Sequence, residues 1–337
     1  MYKEQLICAG QDPDATSLPS LAELDAALRA ELGPPHAANT RKAYASDWSD
    51  FAAWCARYDQ VALPADALTV RRYLVALARD GRKVATIQRR LAAVADAHAR
   101  AGHPSPAADP AVRHELAALR RALGVAPKGK DPLLAAELRA MVAALPEDPR
   151  GLRDRAMLLL GFAAALRRSE LVGLDVGDVA FARRGLVVTI RRSKSDQEGA
   201  GAQVAVAPGR DPAACPVRAT RRWLQAARLG TAGPLFRPIH RTGSIITRRL
   251  NPEHVAQLVK HAAAAAGVAP LDLDGAADTG ALAGHSLRAG LVTQAALDGV
   301  SDADIAATTR HKSRDMVARY TRIADPFRAG VAGKVKL

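Results

Sequence analysis

Aromatic residues make up only 4% of this 337-residue chain, while 49% of it is hydrophobic. Its core must therefore be filled mainly by Leu, Val and Ala, and small side chains at helical spacing favour close-packed helices. The capping box Ser20-Leu21-Ala22-Glu23 opens a first helix to about residue 32, where Gly33-Pro34-Pro35 stops it. Further helices are expected at about 40–58, 69–79, 86–100 and 110–123, with no strand pattern among them. In the 40–58 segment Tyr44, Trp48, Phe51, Trp54 and Cys55 fall on one stripe, which reads as core packing.

A chain of this length implies two domains. Gly124 to Pro132 (Gly-Val-Ala-Pro-Lys-Gly-Lys-Asp-Pro) has the composition of an exposed, extended linker. Beyond it, helices are expected at about 135–144 and 152–165, and 165–174 reads as an apolar helix end with a charged interruption. The β-branched run Gly185-Leu186-Val187-Val188-Thr189-Ile190 then pairs with 203–206 as a hairpin. Its turn is the basic segment Arg191-Arg192-Ser193-Lys194-Ser195-Asp196. Helices follow at about 216–228 and 252–266, the second opened by Asn251-Pro252 and stopped by Gly267. Residues 269–283 read as a loop, Ser301-Asp302-Ala303-Asp304 as a helix cap, and Asp325-Pro326 as the start of a short terminal helix. The expected fold class is mainly α with a small β-hairpin or sheet.

Charge narrows the partner. Lys and Arg outnumber Asp and Glu by 48 to 34, a formal net charge of +14. Most of the excess lies in 127–337, with 32 basic against 20 acidic residues. A charge that large indicates a polyanion, nucleic acid ahead of a membrane surface. Cys8, Cys55 and Cys215 are far apart and form neither a disulfide framework nor a metal-ligand spacing. No run of about 18 apolar residues marks a membrane span, so a soluble, cytoplasmic protein is expected.

Seven residues stand out together: Arg167, Glu170, Lys194, His285, Arg288, His311 and Tyr320. Arg167 and Glu170 are three apart, as are His285 and Arg288, so each pair can share a helix face. Alone, the first pair reads as a surface ion pair and the second as a capped helix start. Their order and spacing resemble the tyrosine recombinase (phage integrase) family. Leu166-Arg167-Arg168-Ser169-Glu170-Leu171 matches the family's first arginine box, Lys194 its hairpin lysine, and His285-Ser286-Leu287-Arg288 its His-x-x-Arg box. His311 stands nine residues before Tyr320, as the family's second His or Trp stands before its nucleophile. Ala53-Trp54-Cys55, Thr86-Ile87-Gln88 and Gly284-His285-Ser286 look like the Cre branch. One departure is Arg310, where the family usually has Gly; it bears either on the local backbone or on a phosphate contact.

The resemblance implies a two-domain DNA clamp. Residues 1–19 form a flexible arm, 20–123 a helical core DNA-binding domain, 124–132 the linker, 133–324 the catalytic domain, and 325–337 a tail docking on a neighbouring subunit. Tyr320 would attack a DNA phosphodiester to give a 3′-phosphotyrosyl link. Arg167 and Arg288 match the charge that builds on the phosphate oxygens, and Lys194 would protonate the leaving 5′ oxygen. His285 and His311 would assist at the phosphate, and Glu170 would orient the cluster. No metal, ATP or other cofactor is implied, and the partner is a pair of double-stranded recombination sites bound by a homotetramer. For DNA contact the candidates are Arg41 and Lys42 on phosphates, and Thr86, Gln88, Arg89 and Arg90 at a helix start suited to a major groove. The competing readings are a type IB topoisomerase, a catalytically silent DNA-binding protein and a metal nuclease.

Overall fold

The structure, a computed structural model, describes residues 20–24, 36–124, 131–191, 201–268 and 282–310. The expected turn at Lys194, residues 269–281 of the expected loop, and His311, Tyr320 and the tail lie outside the described residues. The chain divides into two compact units, Met1–Pro127 and Lys128–Leu337.

The first unit contains helices α1 (Ala38–Arg57), α2 (Ala67–Arg79), α3 (Val84–Arg100) and α4 (Pro110–Leu123). Before them, Ser20 and Glu23 close the expected capping box: the Ser20 amide donates to Glu23 at 2.8 Å and the Glu23 amide to Ser20 Oγ at 3.2 Å. Asp66 caps α2 by accepting from the Thr69 amide at 2.6 Å. Asp109 and Pro110 open α4 with a side-chain cap and a proline at a position that needs no donor.

Phe51, Val70, Tyr73, Leu74, Ile87, Val94 and Val112 fill the core between these helices. The aromatic stripe of α1 behaves as expected. Phe51 and Cys55 are buried, and Trp48 and Trp54 pack half-buried against the same core. Helix α3 begins two residues before the expected Thr86, because buried Val84 joins the helix and Lys83 takes the capping position. Thr86 therefore sits within the first turn rather than at the helix start.

The second unit is mostly helical: α5 (Ala135–Ala143), α6 (Pro149–Ala163), α7 (Arg168–Gly173), α8 (Pro216–Ala226), α9 (Pro252–Ala265), α10 (Gly284–Leu297) and α11 (Asp302–Thr309). Its sheet has three antiparallel strands in the order β1 (Val179–Ala182), β2 (Gly185–Ile190), β3 (Ala202–Val206). Val188 of β2 faces Val179 on one side and Val204 on the other. The strand β1 is an addition to the expected hairpin, since only Val179 of its four residues is buried and no alternation marks it. The core joins the sheet to the helices through Leu133, Met141, Leu158, Leu160, Val188, Trp223, Phe236 and Leu287.

The segment 165–174 differs from expectation. It is not the end of the preceding helix. That helix, α6, stops at Ala163, and Ala165 turns the chain with a left-handed φ of 47°. A separate short helix, α7, then starts with Arg167 at its cap. The break is held by backbone bonds from Ala165 to the Phe162 carbonyl (2.9 Å) and from Leu166 to the Gly161 carbonyl (3.0 Å).

A second close approach fixes α10. The Leu133 amide donates to the Ser286 carbonyl at 3.2 Å, and the Ala135 amide to Gln294 Oε1 at 3.2 Å. Where this strap crosses the helix, a Cβ on residue 290 would stand 1.9 Å from the Leu133 carbonyl oxygen, so only Gly290 admits it.

Candidate active site

The turn at Ala165 has a chemical consequence. Placing Arg167 at the cap of α7 and Glu170 in its first turn folds the carboxylate back under the arginine. Glu170 accepts from the Arg167 amide at 2.9 Å and from Arg167 Nη1 at 2.5 Å. The Glu170 side chain is only 2% exposed, whereas Arg167 is 23% exposed. The pair is therefore not the surface ion pair that spacing alone allows.

Arg288 reaches the same place from α10. It is 1% exposed, its Nη1 donates to the Ala165 carbonyl at 2.6 Å, and its Nη2 donates to the Thr309 carbonyl. It thus ties the break after α6 to the end of α11. His285, one turn earlier on α10, lies at the exposed edge of the cluster. Surrounding protein desolvates the ring and holds its pKa below the ordinary imidazole value, and the charges of Arg288 and Arg167 add to that shift. The His285–Arg288 turn starts on a capping contact, with the Ala283 amide donating to Ser286 Oγ at 3.1 Å.

Arg310 completes the group. It ends α11 with φ 57° and ψ 39°, a left-handed conformation that costs a side-chain-bearing residue roughly 1–2 kcal/mol. From there its Nη2 reaches Glu170 Oε2 at 2.8 Å and approaches the Ala165 carbonyl at 3.5 Å. Its Nε and Nη1 are buried with no hydrogen-bond partner among the described residues. Burial lowers the pKa of this guanidinium; Glu170 opposes that shift and Arg167 adds to it. Among the described residues, three guanidiniums thus converge on one carboxylate and one carbonyl. The sequence marks Arg310 as out of pattern, bearing either on the local backbone or on a phosphate contact; nothing local in sequence signals that it shares Glu170 with Arg167.

The base of the β2–β3 hairpin is anchored nearby. Arg191 Nη2 pairs with Asp175 at 2.5 Å and Asp178 at 2.8 Å, just after α7. Arg249 joins them, reaching Asp175 at 2.5 Å and the Val172 and Leu174 carbonyls at 2.9 and 3.1 Å. The first residue of the expected basic turn is therefore tied to the segment that follows Arg167 and Glu170.

In the first unit, Arg41 and Lys42 are exposed at the start of α1, with Arg41 Nη1 donating to the His36 carbonyl at 2.8 Å. Thr86 and Gln88 are half-buried in the first turns of α3. Arg89 forks onto Asp47 of α1 at 2.7 and 3.0 Å while half its side chain remains exposed. Arg90 turns inward, onto Asp50 and the Tyr73 hydroxyl, with 14% of its side chain exposed. Burial raises the Tyr73 phenol above its ordinary range, which keeps it a neutral donor to Asp50 at 3.1 Å.

A profile described as the phage integrase family matches residues 132–326. Over 294 residues the chain is 39% identical to an integrase/recombinase xerD homolog of Selenomonas ruminantium, covering 86% of this chain and 83% of that protein. Among solved structures it resembles a Tn1549 transposon integrase in complex with transposon right end DNA, with a TM-score of 0.57, 14% identity, and 90% and 97% of the two chains covered. It also resembles a lambda integrase dimer bound to a core site, with a TM-score of 0.55, 16% identity, and 88% and 93% covered. At such low identity these two likenesses establish the fold. Because the profile spans more than half the chain and the relative is aligned over most of both lengths, the chain belongs to the phage integrase family and is a site-specific tyrosine recombinase.

Proposed function

We propose that the cluster around Glu170 receives the scissile phosphate of a double-stranded DNA recombination site, and that Tyr320 attacks it. The observation that carries this reading is the convergence of Arg167 and Arg288, brought together from two helices by the Ala165 turn and Glu170. Attack forms a bond from the Tyr320 oxygen to phosphorus and breaks the bond to the 5′ oxygen, giving a 3′-phosphotyrosyl link. As charge builds on the non-bridging oxygens, permanently charged forked guanidiniums stabilise it. Lys194 donates the proton that the departing 5′ oxygen requires. His285, held neutral beside two cations, and His311 hydrogen-bond the phosphate or carry the tyrosine proton. Glu170 fixes the arginines without touching DNA.

Religation by a different 5′ hydroxyl exchanges strands, and the covalent link conserves the energy of the broken bond. The reaction therefore runs without ATP or metal. We assign 133–324 to this chemistry and 20–123 to DNA contact, joined by the linker 124–132 and preceded by an arm at 1–19. Arg41, Lys42 and the exposed face of Arg89 suit phosphates, and Thr86 and Gln88 suit base edges; Arg90 supports α3 from within. The tail at 325–337 docks on a neighbouring subunit of a homotetramer, which acts on DNA in the prokaryotic cytoplasm.

The test is a nicked suicide duplex carrying the site footprinted beside the gene. Full-length protein is expected to form a covalent DNA adduct that survives EDTA. Tyr320→Phe is expected to bind the duplex and form none. An undiminished adduct in that variant removes Tyr320 from its role, and loss with EDTA favours a metal nuclease.

A further inference from the structure

We propose that Arg310 is a third phosphate-binding guanidinium of this site, contacting a non-bridging oxygen of the scissile phosphate in addition to Arg167 and Arg288. The inference rests on the assignment of the phosphate to this cluster and extends it to a residue outside the seven-residue pattern.

Four observations lead to it. Arg310 is nearly buried, with 12% of its side chain exposed, and an arginine is costly to bury unless its donors are used. Only its Nη2 is used: it meets Glu170 at 2.8 Å, while Nε and Nη1 are buried and without a partner among the described residues. The location is shared, since Arg167 holds the other oxygen of that carboxylate and Arg288 donates to the same Ala165 carbonyl that Arg310 approaches. Finally, among the described residues Glu170 is the carboxylate that pairs with both Arg167 and Arg310, while Arg288 donates to the Ala165 and Thr309 carbonyls.

A buried guanidinium with two idle donors beside two other guanidiniums fits a tetrahedral anion with several acceptor oxygens. Nη2 on Glu170 acts as a pivot, about which the guanidinium turns to bring the buried Nη1 onto the phosphate. The ligand is the same DNA phosphodiester, and its chemistry is unchanged: Arg310 adds positive charge where negative charge develops and transfers no proton.

Arg310→Gly is the informative variant, because glycine accepts a φ of 57° without strain and keeps the backbone turn. Adduct formation on the nicked suicide duplex is expected to slow by about 100-fold, the usual scale for removing one such donor. On the same duplex with a neutral methylphosphonate at the scissile position, the two proteins are expected to react at nearly equal rates. Arg310→Gln carries the same expectation, so a folding defect in one variant leaves the other to decide. Equal rates on the ordinary phosphodiester overturn the proposal. So does a slowing of the same size on both linkages, which would place Arg310 behind Glu170 rather than on the phosphate. If wild-type protein forms no Tyr320 adduct on the duplex, the assignment of the phosphate falls first and this proposal with it.

Discussion

Glu170 is asked to neutralise two guanidiniums at once, and the neighbouring histidine feels the remainder. His285 has its pKa lowered first by desolvation from the protein packed around its ring and then by Arg288 and Arg167. For a base whose folded pKa lies below its unfolded value of about 6.5, the unfolded chain binds more protons in the window between the two. Stability therefore rises with pH through that window and is lost as pH falls from about 6.5 towards the lowered value. In an NMR titration the His285 ring is expected to show a midpoint below 6.5, and phosphate, by offsetting the arginine charge, should move it upward. A midpoint above 6.5 in phosphate-free buffer contradicts the account. Arg310 carries the same lesson in its backbone, since its left-handed conformation is tolerated for the sake of where the side chain arrives.

Among the elements, α10 contributes most to the site, and its position depends on a residue with no side chain. Gly290 lets the Leu133 strap lie on the helix two residues beyond Arg288. Gly290→Ala would force the strap or the helix to shift, at a cost of roughly 2–3 kcal/mol, read as a lower urea midpoint with an unchanged slope; an unchanged midpoint contradicts the steric argument. Much of this architecture was legible because capping chemistry is local: Ser20, Asn251 and Ser301 each cap the helix they open. The pairing of Arg167 with Glu170 was foreshadowed by their spacing. What stayed hidden was non-local or unmarked. An alanine at a left-handed turn looks like any helical alanine, so the break at Ala165 was invisible. The strand β1 shows one buried residue, too few for a period. The inward turn of Arg90 depends on Asp50 and Tyr73 from two other helices.

At the scale of the molecule, the +14 charge matters more than any single contact. A protein that neutralises many phosphates releases as many counterions, so its affinity for duplex DNA is expected to fall by about a thousandfold between 50 and 200 mM salt. The slope of log K against log salt, measured by fluorescence anisotropy, checks this, and a flat response contradicts an electrostatic grip. Neutralising Arg41 and Lys42 together should reduce that slope by about two if each meets one phosphate.

The strap at Leu133 also sets where this protein can be divided. Leu133 is fully buried, its amide is spent on α10, and its carbonyl occupies the space that Gly290 leaves. A fragment starting at Ala135 keeps every helix and strand of the second unit, yet it loses the plug that holds the helix bearing His285 and Arg288. The shortest piece able to preserve the arginine cluster therefore begins upstream of the first helix it contains. Leu133, the first residue after the connector at 124–132, belongs by its contacts to the interior.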